Sequence, residues 1–313
     1  METYEFLILG GGITGLQIGK ELRNKGFKTL NVDRSMDLGY PVSGSCFVSI
    51  EIFNRYFRKY EKHVNGIFSS IIIENGDSEE EMPLPPEKNI ISMDREKLVR
   101  DMAADLSASG GKIFIASTIS LPDGEKDGKL MAALKREGKD ETVEVQKIIL
   151  ATGNPEEKFL THQKDCRISR INAIYERGRL GKFPAESFRV KLNNNGISVE
   201  AIYMGSRETL QINGRGSSKI YSEAIFKYDA LTHNCFPSTV PFIIASGNML
   251  GTENYTGAGI GFSMDYNNYL IENLEKENSY ENLGDWYMSK RNQNNFLKMD
   301  PVDSILYRIP IYS

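Results

Sequence analysis

The sequence predicts an α/β fold in which a domain with parallel strands is interleaved with an antiparallel β-sheet domain. Three patterns support this prediction. A glycine-rich turn follows an apolar strand at residues 6–15, residues 188–203 alternate apolar and polar side chains, and residues 240–247 return to a continuous apolar run. Alternation is typical of antiparallel strands, whereas a continuous apolar run is typical of a strand buried on both faces.

The glycine-rich turn has the spacing of a dinucleotide-binding loop. Gly10 ends the apolar strand, Gly12 and Gly15 follow, and residues 13–25 have the pattern of a helix. Gly10 permits the tight turn, Gly12 lets the backbone approach a pyrophosphate, and Gly15 lets the helix pack closely on the strand. The motif therefore predicts a Rossmann-like dinucleotide site, with glycine-rich core packing as the alternative.

The first helical residues and an acidic side chain complete this predicted site. Ile13 and Thr14 lie at the helix N-terminus, where free N–H groups and the positive end of the helix dipole attract phosphates. Asp33 ends the predicted strand 29–32, eighteen residues after the last glycine of the motif, about where an acidic side chain takes a ribose hydroxyl. Arg34 follows it, and either stacks near the adenine or is exposed.

Composition and charge exclude several classes of protein. The 313 residues carry a formal net charge of −4, so no overall positive field attracts nucleic acid. The three cysteines form no CxxC pair, which indicates a reducing compartment, and we expect a cytoplasmic protein. We recognise no signal peptide, and no apolar run approaches the ~18 residues of a membrane span.

The few histidines limit the chemistry that the side chains could perform. The chain has three, and none is paired at metal-ligand spacing, so we expect neither a metal site nor a histidine-based nucleophilic triad. An enzyme with this composition would therefore depend on a bound cofactor.

Two short segments before residue 90 have turn and loop patterns. The pairs Asn65-Gly66 and Asn75-Gly76 bracket an apolar run, which predicts turns of a β-hairpin. Residues 79–86 are acidic and rich in proline, which favours a solvated loop.

A second βα unit, a hairpin and a late helix follow. Residues 94–107 place apolar side chains on one helical face, and residues 112–116 return as a strand. Residues 130–134 and 142–150 predict a β-hairpin inserted into the parallel half, and residues 259–276 predict another helix.

These patterns divide the chain into interleaved parts. The segment between residues 155 and 241 contains alternating strands and few helix signals, which favours a substrate or cap domain. The predicted division is a nucleotide-binding domain of residues 1–50, 88–154 and 240–278, a substrate or cap domain of residues 51–87 and 155–239, and a C-terminal tail of residues 279–313.

A strand ending in Ala-Thr-Gly indicates which dinucleotide is bound. Residues 148–153 resemble the strand with which the chain re-enters the FAD domain in two-domain flavoproteins of the glutathione-reductase type. This resemblance implies FAD and places Thr152 and Gly153 beside it. The alternative is a buried strand that ends in a glycine turn.

Residues 247–261 resemble the late FAD motif of the geranylgeranyl reductase family. The resemblance implies that Gly247 and Asn248 lie near the ribityl and pyrophosphate oxygens, although relatives have Asp where this chain has Asn248. It also implies that a second glycine turn opens a helix whose N–H groups face the flavin. The residues of that second turn are Gly257, Ala258, Gly259 and Ile260.

Two shorter segments also resemble the geranylgeranyl reductase family. Residues 39–46 correspond to its Gly-x-Pro-Val segment followed by a cysteine, which implies that Ser45 and Cys46 lie near the flavin. Arg95 corresponds to the arginine of an Asp-Arg motif that opens the helix of the second βα unit. The alternatives are a small buried cysteine and an arginine paired with a neighbouring acid.

The resemblance implies an FAD-dependent oxidoreductase that transfers a hydride between flavin N5 and an apolar or mixed small-molecule substrate. No second Gly-x-Gly-x-x-Gly occurs, so the reductant would be transient NAD(P)H or an electron-carrier protein. We identify no catalytic acid or base. Three aromatic side chains either line a substrate cavity or form core: Tyr221, Phe226 and Tyr228.

Three alternatives to this reductase remain at this point. The Tyr-x-Trp-x-Phe-Pro pocket motif of that family is missing, which disfavours isoprenoid reduction. A flavin-dependent monooxygenase uses the same fold, and a short substrate domain together with Asn248 is compatible with a flavin-binding protein without turnover. A tRNA-modifying flavoprotein is disfavoured, because such proteins need a basic docking face.

Overall fold

The computed structural model describes residues 2–40, 45–120, 129–153, 167–180, 185–193, 196–212, 221–234, 243–247 and 259–274, together with residues 283, 285, 286 and 289. The first strands are β1 Glu2–Leu9, β2 Thr29–Val32, β3 Phe47–Ser49, β4 Val64–Phe68, β5 Ser70–Asn75, β6 Ser78–Pro83, β7 Ile90–Met93, β8 Lys112–Phe114 and β9 Ser117–Ser120. The later strands are β10 Leu130–Arg136, β11 Lys139–Leu150, β12 Arg167–Arg179, β13 Ser187–Asn193, β14 Gly196–Tyr203, β15 Ser206–Ile212, β16 Tyr221–Asn234 and β17 Ile243–Ala245. The longer helices are α1 Ile13–Asn24, α2 Arg95–Ala108 and α3 Gly259–Asn273, and short helical turns cover Ile50–Ile52, Phe53–Phe57, Arg58–His63 and Pro86–Lys88.

The first sheet is Rossmann-like. Its order is β8-β2-β1-β11-β10-β9, and β17 pairs with the last residues of β11. Strands β8, β2, β1, β11 and β17 run parallel to one another, and Leu9 lies opposite both Val32 and Leu150. Leu7 and Ile8 are fully buried, as expected for a central strand covered on both faces. The predicted hairpin is confirmed, because β10 and β11 pair antiparallel.

The three longer helices agree with the sequence patterns to within a few residues. Helix α1 contacts both α2 and α3. Asp94 caps α2, since its side chain accepts a hydrogen bond from the Lys97 N–H at 3.2 Å. This cap is the usual reason for a helix to begin after an aspartate.

The second sheet is almost wholly antiparallel and is built from both halves of the predicted cap domain. Its order is β16-β12-β15-β14-β13-β5-β6, with only the β13–β5 pair parallel. Phe188 of β13 packs against Phe47 and Phe68 of a three-stranded sheet ordered β3-β7-β4. The predicted fold class, an α/β fold with an interleaved antiparallel sheet, is therefore confirmed.

Two local expectations are wrong. Asn65-Gly66 does not turn the chain but lies inside β4, where the pairing with β7 shifts register between Val64 and Gly66. Residues 79–86 are not entirely loop, because Ser78–Pro83 forms the edge strand β6 beside β5. The glutamates of β6 are exposed, and charged side chains are common on edge strands because they discourage further pairing.

The other predicted turn, at Asn75-Gly76, is confirmed. Gly76, between β5 and β6, has a φ of +59°, a conformation that glycine adopts without steric cost.

Across the described residues, every helix is too short or too polar to cross a bilayer.

Candidate functional site

The glycine turn is packed tightly at two positions and open at a third. Gly10 has a φ of +118°, and a Cβ there would collide with the carbonyl group of Ala151. A Cβ at Gly15 would collide with the carbonyl oxygen of Gly10. By contrast, a Cβ at Gly12 would meet no atom of the described residues within 4 Å. Gly10 and Gly15 are therefore required by the fold itself, whereas Gly12 borders open space.

The N-terminus of α1 is available to an anion. Gly12 is the cap residue, no side chain caps the helix, and the first turn contains no acidic residue. The first backbone hydrogen bond of the helix is donated by the Leu16 N–H to the Gly12 carbonyl at 2.9 Å. Ile13 and Thr14 thus belong to a first turn whose dipole favours negative charge. The open space at Gly12 and this first turn fit a pyrophosphate.

Asp33 is fixed beside the glycine turn. Its Oδ2 accepts a hydrogen bond from the Gly11 N–H at 2.6 Å, and its Oδ1 accepts one from the Ser35 N–H at 2.7 Å. An ionised carboxylate has further lone pairs, so a ribose hydroxyl could still donate to it. Arg34 is exposed.

The Ala-Thr-Gly strand end lies against the glycine turn, as its sequence predicts. The Ala151 N–H donates to the Leu9 carbonyl at 2.7 Å. Thr152 is exposed, and Gly153 turns the chain with a φ of +72°. The carboxyl ends of neighbouring parallel strands thereby meet at one edge of the sheet.

The later glycine segment reaches the same edge. The Ser246 N–H donates to the Leu150 carbonyl at 2.8 Å. A Cβ at Gly247 would lie 3.0 Å from Oγ1 of Thr14, so these two predicted residues are neighbours. Asn248, Gly257 and Ala258 lie outside the described residues. Gly259 begins α3, and Ile260 packs partly buried beside the core that contains Ile13.

Asn267 is a site residue that sequence reasoning missed. It is fully buried on α3, and its Nδ2 donates to Gln17 Oε1 at 2.7 Å and to the Thr14 carbonyl at 3.4 Å. Its Oδ1 accepts a hydrogen bond from the Ser246 hydroxyl. Asn267 therefore joins α1, α3 and the end of β17. The sequence offered no clear signal, because Asn267 is one of several polar residues on this helix.

Ser45, Cys46 and Arg95 lie close together, with Cys46 packed against the start of α1. The Arg95 guanidinium donates to the Ser45 carbonyl at 3.1 Å. Cys46 is fully buried in a cluster with Ile13 and Leu16. Burial raises the pKa of the Cys46 thiol to about 12, so it stays protonated near neutral pH and is a poor nucleophile.

A second group of polar side chains, all buried except the partly exposed Arg177, lies where the antiparallel sheet meets α2. We call it the Glu208 cluster, and its members are Ser92, Asp94, Tyr175, Arg177, Tyr203 and Glu208. No local sequence pattern predicts this cluster, because its members lie on β7, β12, β14 and β15 and at the start of α2.

Glu208 and Asp94 have different environments within the Glu208 cluster. Glu208 is 2% exposed and accepts hydrogen bonds from Ser92, Tyr175 and Tyr203, but burial raises its pKa. Burial also opposes ionisation of Asp94, yet the Lys97 backbone and ammonium groups and the guanidinium of Arg177 outweigh it and lower the pKa of Asp94. Arg177 donates to Asp94 Oδ2 at 3.3 Å.

Comparison with known proteins supports the fold. No protein-family model matches the sequence. A geranylgeranyl bacteriochlorophyll reductase-like protein from Thermoplasma acidophilum superposes with a TM-score of 0.75 at 17% identity, covering 94% of this chain and 84% of that protein. A p-nitrophenol 4-monooxygenase from Pseudomonas putida has a TM-score of 0.77 at 10% identity, covering 98% and 89%.

A third solved structure has the same architecture. A probable FAD-dependent monooxygenase from Pseudomonas aeruginosa superposes with a TM-score of 0.71 at 12% identity, covering 97% of this chain and 93% of that protein. Identities this low establish a shared architecture and leave the reaction open. The resemblance to flavoproteins of the geranylgeranyl reductase type is confirmed at the level of the fold, and the chain has the fold that these three proteins share.

Proposed function

We propose that this protein is an FAD-dependent oxidoreductase that acts on an apolar or mixed small molecule. The observation that carries the proposal is the convergence of four sequence segments at one sheet edge. The uncapped start of α1, Asp33, Ala151–Gly153 and Gly247 all meet there, beside open space at Gly12. Dinucleotide sites of Rossmann-like folds lie at such edges.

The residues at this edge fit the parts of FAD. The first turn of α1, from Gly12 through Thr14, would hold the pyrophosphate. Asp33 would accept a hydroxyl of the adenosine ribose, with Arg34 near the adenine. The later segment would lie along the ribityl chain and the ring, together with Ser45, Cys46 and Arg95. Thr152 and Gly153 would also lie beside the cofactor, and the residues of the later segment are Gly247, Asn248, Gly257, Ala258, Gly259 and Ile260.

The chain itself would position the reactants and exclude water. Bound FAD supplies hydride transfer through flavin N5. The buried hydrogen bonds of Asn267 would hold Thr14 and Ser246 in register at the cofactor site. We further propose that residues 51–87 and 155–239 cover the substrate side, and that NAD(P)H or an electron-carrier protein supplies electrons.

A flavin-dependent monooxygenase is the second candidate. The observation that favours it is the match to two monooxygenases over 97% and 98% of this chain. A monooxygenase consumes oxygen together with NAD(P)H and substrate, whereas a reductase needs no oxygen, so measured oxygen consumption distinguishes the two proposals.

The first experiment tests the cofactor. Purified protein titrated with FAD should quench flavin fluorescence to a stoichiometry of one, whereas protein that stays colourless and leaves the fluorescence unchanged would exclude the assignment. The second experiment measures oxygen consumption with NAD(P)H and candidate substrates. Reduction of a C=C bond under argon supports a reductase, and oxygen uptake equal to both NAD(P)H and substrate consumed supports a monooxygenase.

A further inference from the structure

A cavity of about 280 Å³ lies between α1, α3 and the helical turns of residues 53–60. None of the predicted cofactor-binding residues that the structure describes lines it. The volume is about nine times the ~30 Å³ share of one water molecule in the liquid, which suits a small ligand. The cavity is therefore separate from the glycine turn, although both involve α1.

The lining of the cavity combines an apolar floor with a polar rim. Leu16, Phe57 and Met264 are almost completely buried and form part of the floor. Gln17 and Asn268 present amide groups at the rim, and their side chains are joined by a hydrogen bond of 3.2 Å. An apolar floor with a few polar groups is the usual composition of a small-molecule site.

Two lysines of the rim share a single carboxylate. Lys20 Nζ lies 3.6 Å from Asp105 Oδ2, and Lys59 forms an ion pair with the same oxygen. Tyr60 also donates to that oxygen, at 2.6 Å. Burial and the adjacent Lys59 ammonium together lower the pKa of Lys20. One carboxylate oxygen of Asp105 thus contacts two ammonium groups and a hydroxyl. The two lysines therefore remain close together and repel each other.

The other charged groups around the cavity do not offset the repulsion between Lys20 and Lys59. Arg55 lies on the rim but is paired with Glu51 and Asp265, each at 2.7 Å. Glu21 also borders the cavity and attracts Lys20, but it affects the pKa of Lys20 less than Lys59 does. An anionic group placed between Lys20 and Lys59 would relieve their repulsion and gain charge-assisted hydrogen bonds.

We propose that this cavity binds a small organic acid. Its anionic group lies between the ammonium groups of Lys20 and Lys59, and its apolar body contacts the floor at Phe57 and Met264. The ligand also contacts Gln17, which accepts a hydrogen bond from Asn267 at 2.7 Å. The cavity is therefore two hydrogen bonds from the carbonyl group of Thr14, and its occupancy can affect the first turn of α1.

The test uses benzoate and hexanoate as probes, with benzamide as the uncharged comparison. Binding is measured by calorimetry at constant ionic strength, with and without saturating FAD, so that competition at the glycine turn is recognised. We expect at least one acid to bind in both conditions and benzamide to bind at least tenfold more weakly. Lys20→Met and Lys59→Met should each weaken binding of that acid at least tenfold.

Lys62→Met is the matched control, because Lys62 is exposed and pairs with Asp101, away from the cavity. It should bind the acid with unchanged affinity, and melting temperatures verify that each variant is folded. Failure of both acids to bind, or equal binding by all variants, overturns the proposal. This result is independent of the proposed cofactor, since it can be measured on protein that binds no FAD.

Discussion

The glycine turn and the Glu208 cluster are built from different kinds of chemical group. At the glycine turn, backbone N–H groups, a helix dipole and the absence of Cβ atoms create the site. In the Glu208 cluster, hydroxyl, guanidinium and carboxylate side chains from separate strands satisfy each other inside the protein. The first arrangement leaves room for a ligand, whereas the second has its hydrogen bonds completed by protein groups. Substitutions in the two regions should therefore affect different properties.

The largest expected effect is the loss of FAD binding in Gly12→Val. A Cβ at Gly12 meets no atom in the part of the chain that the structure describes, so the variant should fold with an almost unchanged melting temperature. Its side chain would occupy the space of the pyrophosphate, and FAD titration should detect no binding. Gly15→Val is the matched comparison, because its Cβ collides with the Gly10 carbonyl and should lower the melting temperature as well. Normal FAD binding by folded Gly12→Val would contradict the proposed pyrophosphate position.

The next effect concerns the stability contributed by the Glu208 cluster. Glu208→Ala leaves two tyrosine hydroxyls and Ser92 without their acceptor and should cost about 3–5 kcal/mol in the free energy of unfolding. Glu208→Gln keeps an acceptor and should cost much less. Urea denaturation measures both values. Equal losses in the two variants would mean that the charge, and not the hydrogen bonding, is what stabilises this cluster.

The same contrast governs how much of the molecule could be predicted from its sequence. Gly10, Gly12, Gly15 and Asp33 lie within one βαβ unit, so their spacing along the chain reports their geometry directly. Helix α2 was also predictable, because its cap and its apolar face are local signals.

The Glu208 cluster had no such local signal. Tyr175 and Glu208 lie on β12 and β15, more than thirty residues apart, and only the pairing of these strands brings them together. The bulge at Asn65-Gly66 was missed for a related reason, since the same dipeptide favours a turn when no partner strand is present.

A smaller effect is expected in how the stability of the protein depends on pH, because the two carboxylates of the Glu208 cluster should contribute in opposite ways. The pKa of Asp94 is lowered in the folded protein, so its stabilising contribution is present above its ordinary pKa of 3.8 and is lost as the pH falls through the folded-state value. The pKa of Glu208 is raised, so stability should decrease as the pH rises above 4.5.

The variants Asp94→Asn and Glu208→Gln should therefore change the stability profile in opposite directions. Asp94→Asn keeps a capping side chain but loses the charge opposite Arg177, and we expect a cost of about 1–2 kcal/mol near neutral pH. Its stability should fall less steeply in acid than that of the wild-type protein, whereas Glu208→Gln should remove the decline above pH 4.5. Urea titrations from pH 3 to pH 8 measure both, and parallel profiles for the two variants would contradict the assigned pKa directions.

The smallest effect on FAD binding is expected at Asn267, which connects the glycine turn to the rest of the fold. Asn267→Ala removes the hydrogen bonds to Gln17, to the Thr14 carbonyl and from Ser246, which together should cost about 1–3 kcal/mol in stability. Because Thr14 and Gly247 are neighbours, the loosened contact should also weaken FAD binding by several-fold rather than abolish it. Asn273→Ala is the control on the same helix, since Asn273 donates to the Tyr269 carbonyl and lies two turns away. A loss of FAD affinity in Asn267→Ala but not in Asn273→Ala would show that a buried side chain supports this mainly backbone site, and equal affinities would restrict Asn267 to folding.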